Sequence, residues 1–124
     1  MRTLAEALVA ARHEATKSVE TFRLGAAVLC GRSVVARGRN RNSNACGLPS
    51  IHAEMDAVWK AAGGRNKEGK RLHVVVVRLL RDGSTTACSK PCASCTRALA
   101  RLGVARVTYT TGDPGQPLAC LALR

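Results

Sequence analysis

The chain has 124 residues, 46% of them hydrophobic, and carries a formal charge of +12 from 20 Lys and Arg against 8 Asp and Glu. That length fits one domain, residues 1–124, with one compact core. No apolar run approaches the roughly 20 residues that span a bilayer, and Glu6, Arg12, His13 and Glu14 interrupt any secretory leader, so the expectation is an intracellular protein (cytoplasm, nucleus or an organelle) with no membrane partner. The charge favours a polyanionic partner, nucleic acid first among them. With only Phe22, Trp59 and Tyr109 as aromatics, there is no broad stacking platform for single strands, and any grip would rest on phosphates.

In chain order, residues 3–20 place Leu4, Ala7, Leu8, Ala11 and Ala15 at helical spacing, and Thr3 with Glu6 reads as a capping box. Residues 23–30 and 33–39 read as two strands joined by a tight hairpin at Gly31-Arg32. Residues 40–51, rich in Asn, Ser, Gly and Pro, read as a loop. A helix then opens at His52 and stops at Gly63-Gly64. Residues 65–71 form a basic loop. Residues 72–80, dense in valine, read as a strand buried on both faces.

Pro91 stands where the first turn of a helix tolerates proline, and that helix runs to Gly103. Residues 104–111 and 117–123 are the last strands, separated by a Gly112-Asp113-Pro114-Gly115 turn. So short a connection forces them antiparallel, because parallel neighbours need a crossover of about a dozen residues. The order α-β-β-α-β-α-β-β predicts a three-layer α/β/α fold around a five-stranded mixed sheet with an antiparallel C-terminal pair.

Six cysteines stand at positions 30, 46, 88, 92, 95 and 120. Without a secretion signal they point to metal or redox chemistry rather than a disulfide framework. Cys92 and Cys95, at i and i+3 on a helix start, put two sulfurs within reach of one ion. The helix N-terminus favours the thiolate that metal binding needs. His52 opens the other central helix. If the two helix starts adjoin, three zinc ligands converge and a fourth position stays open for water. Glu54 lies two residues beyond His52, and with His52 in cap geometry both can face the metal. Glu54 is then a proton shuttle rather than a ligand.

Three other readings compete. A closed structural zinc site would add a fourth ligand such as Cys88 and leave Glu54 without a reason for its place. A thioredoxin-like Cys92/Cys95 pair leaves both His52 and Glu54 unexplained. The Cys88, Cys92, Cys95 spacing resembles a radical-SAM cluster motif, but in a chain too short for that barrel.

The pattern His52-Ala53-Glu54 followed by Pro91-Cys92-Ala93-Ser94-Cys95 is the H-x-E, P-C-x-x-C signature of zinc deaminases. The whole chain resembles the cytidine deaminase superfamily, whose element order it shares, and within it a small protist and viral group of cytidine deaminase-like proteins. Phe22-Arg23-Leu24-Gly25-Ala26-Ala27-Val28 resembles that family's F-x-V-G-A-A segment, whose Phe packs near the base. Asn40 matches the Asn that binds sugar and positions substrate. By the same resemblance, the backbone at Ala53 and Ser89 bonds the ring edge. The antiparallel last pair is typical of the cytidine deaminase division, whereas bacterial tRNA adenosine deaminases and APOBEC-type enzymes place a helix there.

Two departures bear on substrate. Free-nucleoside cytidine deaminases typically use Cys as first ligand, where this chain has His52. They also carry an acid two residues after the Asn, where this chain has Asn42. Loss of that acid relaxes the demand for a free 3′ end. Together with the charge, it tilts the expectation to zinc-dependent (Zn2+) hydrolysis of cytosine to uracil in single-stranded DNA or RNA. Free cytidine, deoxycytidine or its monophosphate is the alternative substrate. The resemblance also implies a homo-oligomer formed through the helical layer, with no copy number set by the sequence. Cys30 and Cys120 read as core thiols, and Trp59 as core or interface.

Overall fold

The computed structural model describes residues 2–18, 23–43, 48–62, 71–83 and 85–123. The side chains of residues 2, 41–43, 48–51 and 62 are outside that description. Phe22 and Cys46 lie outside the described residues, and for Asn42 only the backbone is described.

The alanine-rich first helix, α1 (Arg2–Lys17), begins one residue ahead of the expected cap. Thr3 therefore lies inside the helix instead of capping it, a difference within the usual fraying of helix ends. Strands β1 (Arg23–Cys30) and β2 (Ser33–Arg39) form the expected hairpin. Gly31 turns it with φ 61°, the left-handed conformation a type II′ turn requires at its first central position. The ladder bulges between Val28 and Leu29, skipping Val35, which stays exposed. The stretch expected to be a loop instead contains a small antiparallel pair, β3 (Arg41–Ser43) with β4 (Leu48–Ile51).

Next come α2 (Ala53–Ala62) and β5 (Leu72–Leu79). A two-residue strand, β6 (Thr86–Ala87), pairs with the end of β5. Its length gave no periodicity to read in the sequence. Helix α3 (Ala93–Arg101) and strands β7 (Val104–Thr110) and β8 (Leu118–Ala122) complete the order. Pro91 stands one residue before the N-cap Cys92, outside the first helical turn where the sequence placed it.

The main sheet runs β2-β1-β5-β7-β8, with β6 added beside β5. The five expected strands are present, β5 and β7 are parallel, and the β7–β8 pair is antiparallel as expected. The alternation of β5 divides the core. Val75, Val77 and Leu79 bury against Ala7, Ala10, Ala11 and Ala15 of α1. Leu72, Val74 and Val76 bury with Ala53, Ala57 and Val58 of α2 and Leu99 of α3. Two helices therefore cover one face and one helix the other.

Small residues bring the layers close. A Cβ on Gly25 would strike the Ala11 carbonyl and the Ala15 nitrogen of α1. A Cβ on Gly38 would lie 2.5 Å from Ala57 N and 2.7 Å from Ala53 O of α2. Cys30 is half-buried against the core, but Cys120 is exposed, which corrects its reading as a core thiol. β8 ends the sheet, and Cys120 on it is open to solvent. Trp59 is exposed on the outer side of α2 and is not a core residue.

Candidate metal centre and active site

Two helix starts build the site. His52 sits between β4 and α2, and its carbonyl accepts the Asp56 N–H at 3.0 Å, as an N-cap residue does. Cys92 is the N-cap of α3 with extended backbone (φ −72°, ψ 166°), and its carbonyl accepts the Thr96 N–H at 3.0 Å. Both cap side chains are exposed at the helix mouths, while Cys95, in the first turn of α3, is buried.

These starts adjoin because α2 packs over β2, β1 and β5 and α3 over β7, the strand next to β5, on the same face of the sheet. Two further anchors set their distance. Asp56, buried at the start of α2, accepts the Arg39 N–H at 3.2 Å and pairs with Lys60 at 2.9 Å. Ser89, also buried, clamps the segment before α3 to two strand ends. Its hydroxyl donates to the Val76 carbonyl at 2.9 Å, its oxygen accepts the Thr110 N–H at 2.9 Å, and its own N–H donates to the Thr110 carbonyl at 2.8 Å.

The ligand atoms of His52, Cys92 and Cys95 lie within 4.8 Å of one another. His52 Nδ1 is 2.9 Å from Cys95 Sγ. Tetrahedral zinc with Zn–N and Zn–S bonds of about 2.1 and 2.3 Å separates its ligand atoms by roughly 3.6–3.8 Å; the set suits the ion by donor type and proximity, and the 2.9 Å contact between His52 and Cys95 would have to widen to admit it. Among the described residues Cys88 is not part of the group, which removes Cys88 as the fourth ligand of a structural site. Three protein ligands are the pattern of a catalytic zinc site.

Glu54 is 4% exposed, and its Oε1 lies 3.6 Å from His52 Nδ1. That carboxylate raises the His52 pKa above its ordinary 6.5. The thiols split. The Ser94 hydroxyl, at 3.2 Å, and the Cys95 N–H bring Cys92 down to about 7. Burial, followed by the neighbouring Cys92 and Glu54, pushes Cys95 up to about 12. A metal held here would take both sulfurs as thiolates, so its binding would release the Cys95 proton.

A cavity of about 290 Å3 opens on this centre, lined by Leu24, Asn40, His52, Ala53, Glu54, Ser89, Lys90, Pro91 and Cys92. It lies at the small end of the ligand-pocket range of roughly 300–1,000 Å3. Asn40, Ala53 and Ser89 are among its lining residues. The Ser89 N–H is committed to the Thr110 carbonyl. Sequence reasoning missed Lys90 and Leu24 as lining residues. Lys90 adjoins the P-C-x-x-C motif, and that adjacency was the available signal.

Three protein ligands beside a buried carboxylate are the pattern of a catalytic zinc centre. Residues 1–111 match the family model described as the cytidine and deoxycytidylate deaminase zinc-binding region, and the chain belongs to that family. Comparison with curated proteins gives no match.

Solved structures share the fold. The cytidine deaminase from Burkholderia pseudomallei is 23% identical with a TM-score of 0.67, over 96% of this chain and 91% of that one. The cytidine deaminase from Mycobacterium tuberculosis is 24% identical with a TM-score of 0.63, over 97% and 89% of the two chains. The dCMP deaminase of cyanophage S-TIM5, in complex with dCMP and dUMP, is 21% identical with a TM-score of 0.63, over 87% and 79%. Zinc is the metal that this family binds and that the His52, Cys92 and Cys95 group suits.

Proposed function

We propose that the chain hydrolyses the exocyclic amine of cytosine, releasing ammonia and leaving uracil, with the base presented by a single-stranded polynucleotide. The observation that carries the reading is the joint placement of one imidazole, two thiols and a buried carboxylate at one cavity. His52, Cys92 and Cys95 hold zinc, which when bound supplies a Lewis acid that makes water a competent nucleophile near neutral pH. Glu54 takes one proton from the attacking water and delivers it to ring N3, then takes the second from the new C4 hydroxyl and delivers it to the amine, which leaves as ammonia as the C4 carbonyl forms. The Ala53 N–H, in the first turn of α2 and without an intrahelical acceptor, and the Ser89 carbonyl hold the ring edge. Asn40 holds the substrate at the cavity wall. Phe22 and Asn42 complete the substrate contacts in this reading, and their side chains lie outside the described residues.

The polynucleotide part rests on the charge of +12 and on exposed Lys90 at the cavity. A second reading, a free nucleoside or nucleotide, is favoured by the cavity volume of about 290 Å3. One assay separates them. Zinc-loaded protein is incubated with cytosine-containing oligonucleotides, cytidine, deoxycytidine and dCMP, and uracil products are counted. Deamination of the oligonucleotide, with binding that weakens steeply with salt, supports the first reading. Turnover of the free substrates alone replaces it with the second.

A further inference from the structure

The main sheet ends in β2 on one side and β8 on the other. β2 carries exposed Arg37, then Arg39, and is bent by the bulge at Val35. Charges and bulges are devices that keep an edge from pairing with another chain. β8 has neither. Leu118-Ala119-Cys120-Leu121-Ala122 holds no charge and no proline, and its ladder with β7 runs without a bulge.

The ladder also shows which backbone groups β8 turns outward. Just beyond its ends, the Thr111 N–H donates to the Pro117 carbonyl at 3.0 Å, and the Leu123 N–H to the Ala105 carbonyl at 2.8 Å. Pro117 and Leu123 therefore bond inward to β7. By the alternation of an antiparallel ladder, Ala119 and Leu121 do the same. The N–H and C=O groups of Leu118, Cys120 and Ala122 point to the open edge and have no partner among the described residues. Such a row of unpaired strand groups is a template for another strand.

The strand is complementary to itself. Laid antiparallel on a second copy with Cys120 opposite Cys120, Leu118 meets Ala122 and Ala119 meets Leu121. A large side chain faces a small one on both sides of the sheet. All three outward residues then fall in hydrogen-bonded pairs, which exchange about six backbone bonds, whereas sliding the copies by one pair leaves about four. Charge selects the same surface. Each copy carries +12, so two copies repel, and the repulsion is least where the facing strands bear no charge.

We propose that the β8 edge is a self-association surface, on which two copies of this chain pair β8 with β8 about a two-fold axis at Cys120 and join their sheets into one. The contact is made by a strand edge and not by the helical layer. It uses none of the groups at the metal centre, so it stands or falls apart from the proposed reaction.

The test follows the zinc-loaded chain by analytical ultracentrifugation through a dilution series, beside Cys120→Ser, Cys120→Lys and Cys120→Pro. The wild type and Cys120→Ser are expected to associate alike. Cys120→Lys sets two ammonium groups against each other across the axis and should raise the Kd of self-association about tenfold or more. Cys120→Pro removes an N–H that β7 does not use, so association should be lost while the thermal midpoint stays near that of the wild type.

Cross-linking locates the axis. Opposed residues of a hydrogen-bonded pair have Cα atoms about 5.5 Å apart, within the span of a disulfide. Diamide, which takes up the two electrons and two protons that the thiols lose, should join the two Cys120 sulfurs, and a short bis-maleimide should bridge them without a redox step. Mass spectrometry of the digested dimer identifies the joined residues. A chain that stays monomeric throughout overturns the proposal. So does an assembly that Cys120→Lys leaves equally tight, or one in which neither reagent joins the two Cys120 residues. If the Lys and Pro variants do not fold, the wild-type cross-link decides.

Discussion

Glu54 is buried beside the imidazole of His52, so its replacement by glutamine keeps the volume and removes the proton acceptor. Glu54→Gln is expected to lower turnover by about two to four orders of magnitude, the usual worth of a placed acid–base group, with zinc retained. Product formation and metal content, measured on the same sample, check both halves. A variant that kept its turnover would remove Glu54 from the proton path. His73 gives a second test at this scale. It is half-buried in β5, with Nε2 2.7 Å from Thr108 Oγ1, and burial, then the Arg106 charge, lowers its pKa below 6.5. The unfolded chain therefore binds this proton more readily than the folded one. The stability tied to neutral His73 is complete above about pH 6.5 and is lost as pH falls through the lowered folded value. Denaturant midpoints measured from pH 7.5 to 5 should fall less in His73→Gln than in the wild type.

At the scale of elements, the distance between α2 and the sheet decides whether His52 reaches the thiols. Gly38 sets that distance, since an added Cβ would meet Ala57 N at 2.5 Å and Ala53 O at 2.7 Å, both backbone atoms of α2. Neither atom can rotate away, so Gly38→Ala must push the helix outward. The expected cost is about 1–3 kcal/mol, as for other overpacked sites. Because His52 caps the displaced helix, zinc retention against a chelator should fall as well. Thermal melts and chelator competition read the two effects separately. A stable, tightly zinc-loaded Gly38→Ala would mean that α2 has slack at this position. The Ser89 and Thr110 hydrogen bonds do for α3 what Asp56 and Arg39 do for α2: they hold a helix start to a strand end.

Across the whole molecule, a metal at this centre would join parts of the chain that are 40 and more residues apart, His52 at the start of α2 with Cys92 and Cys95 at the start of α3. A ligand that binds the folded chain alone stabilises it by mass action. Chelation should therefore lower the thermal midpoint, and zinc should restore it. Cys95→Ser should melt near the chelated wild type and gain little from added zinc. Chelation with no effect on the melt would argue that the three ligand atoms do not share an ion. Among the described residues no helix is long and apolar enough to cross a membrane.

The sequence determined the order of the main elements, because helical spacing, strand alternation and turn residues act between neighbours a few positions apart. The valines of β5 and the Gly31-Arg32 hairpin fall where those local rules put them. It also named the donor set, because an imidazole and two thiols carry zinc chemistry whatever surrounds them. Tertiary structure decided the rest. Residues 40–51 held no strand alternation, and β3 and β4 form only by pairing with each other; β6 exists only because β5 extends beside it. Cys120 is exposed because β8 ends the sheet, a matter of strand order rather than of its own apolar neighbours. The convergence of two helix starts depends on sheet register and on backbone approach at Gly38. Such distances are sums over many packed contacts, and no short stretch of chain encodes them.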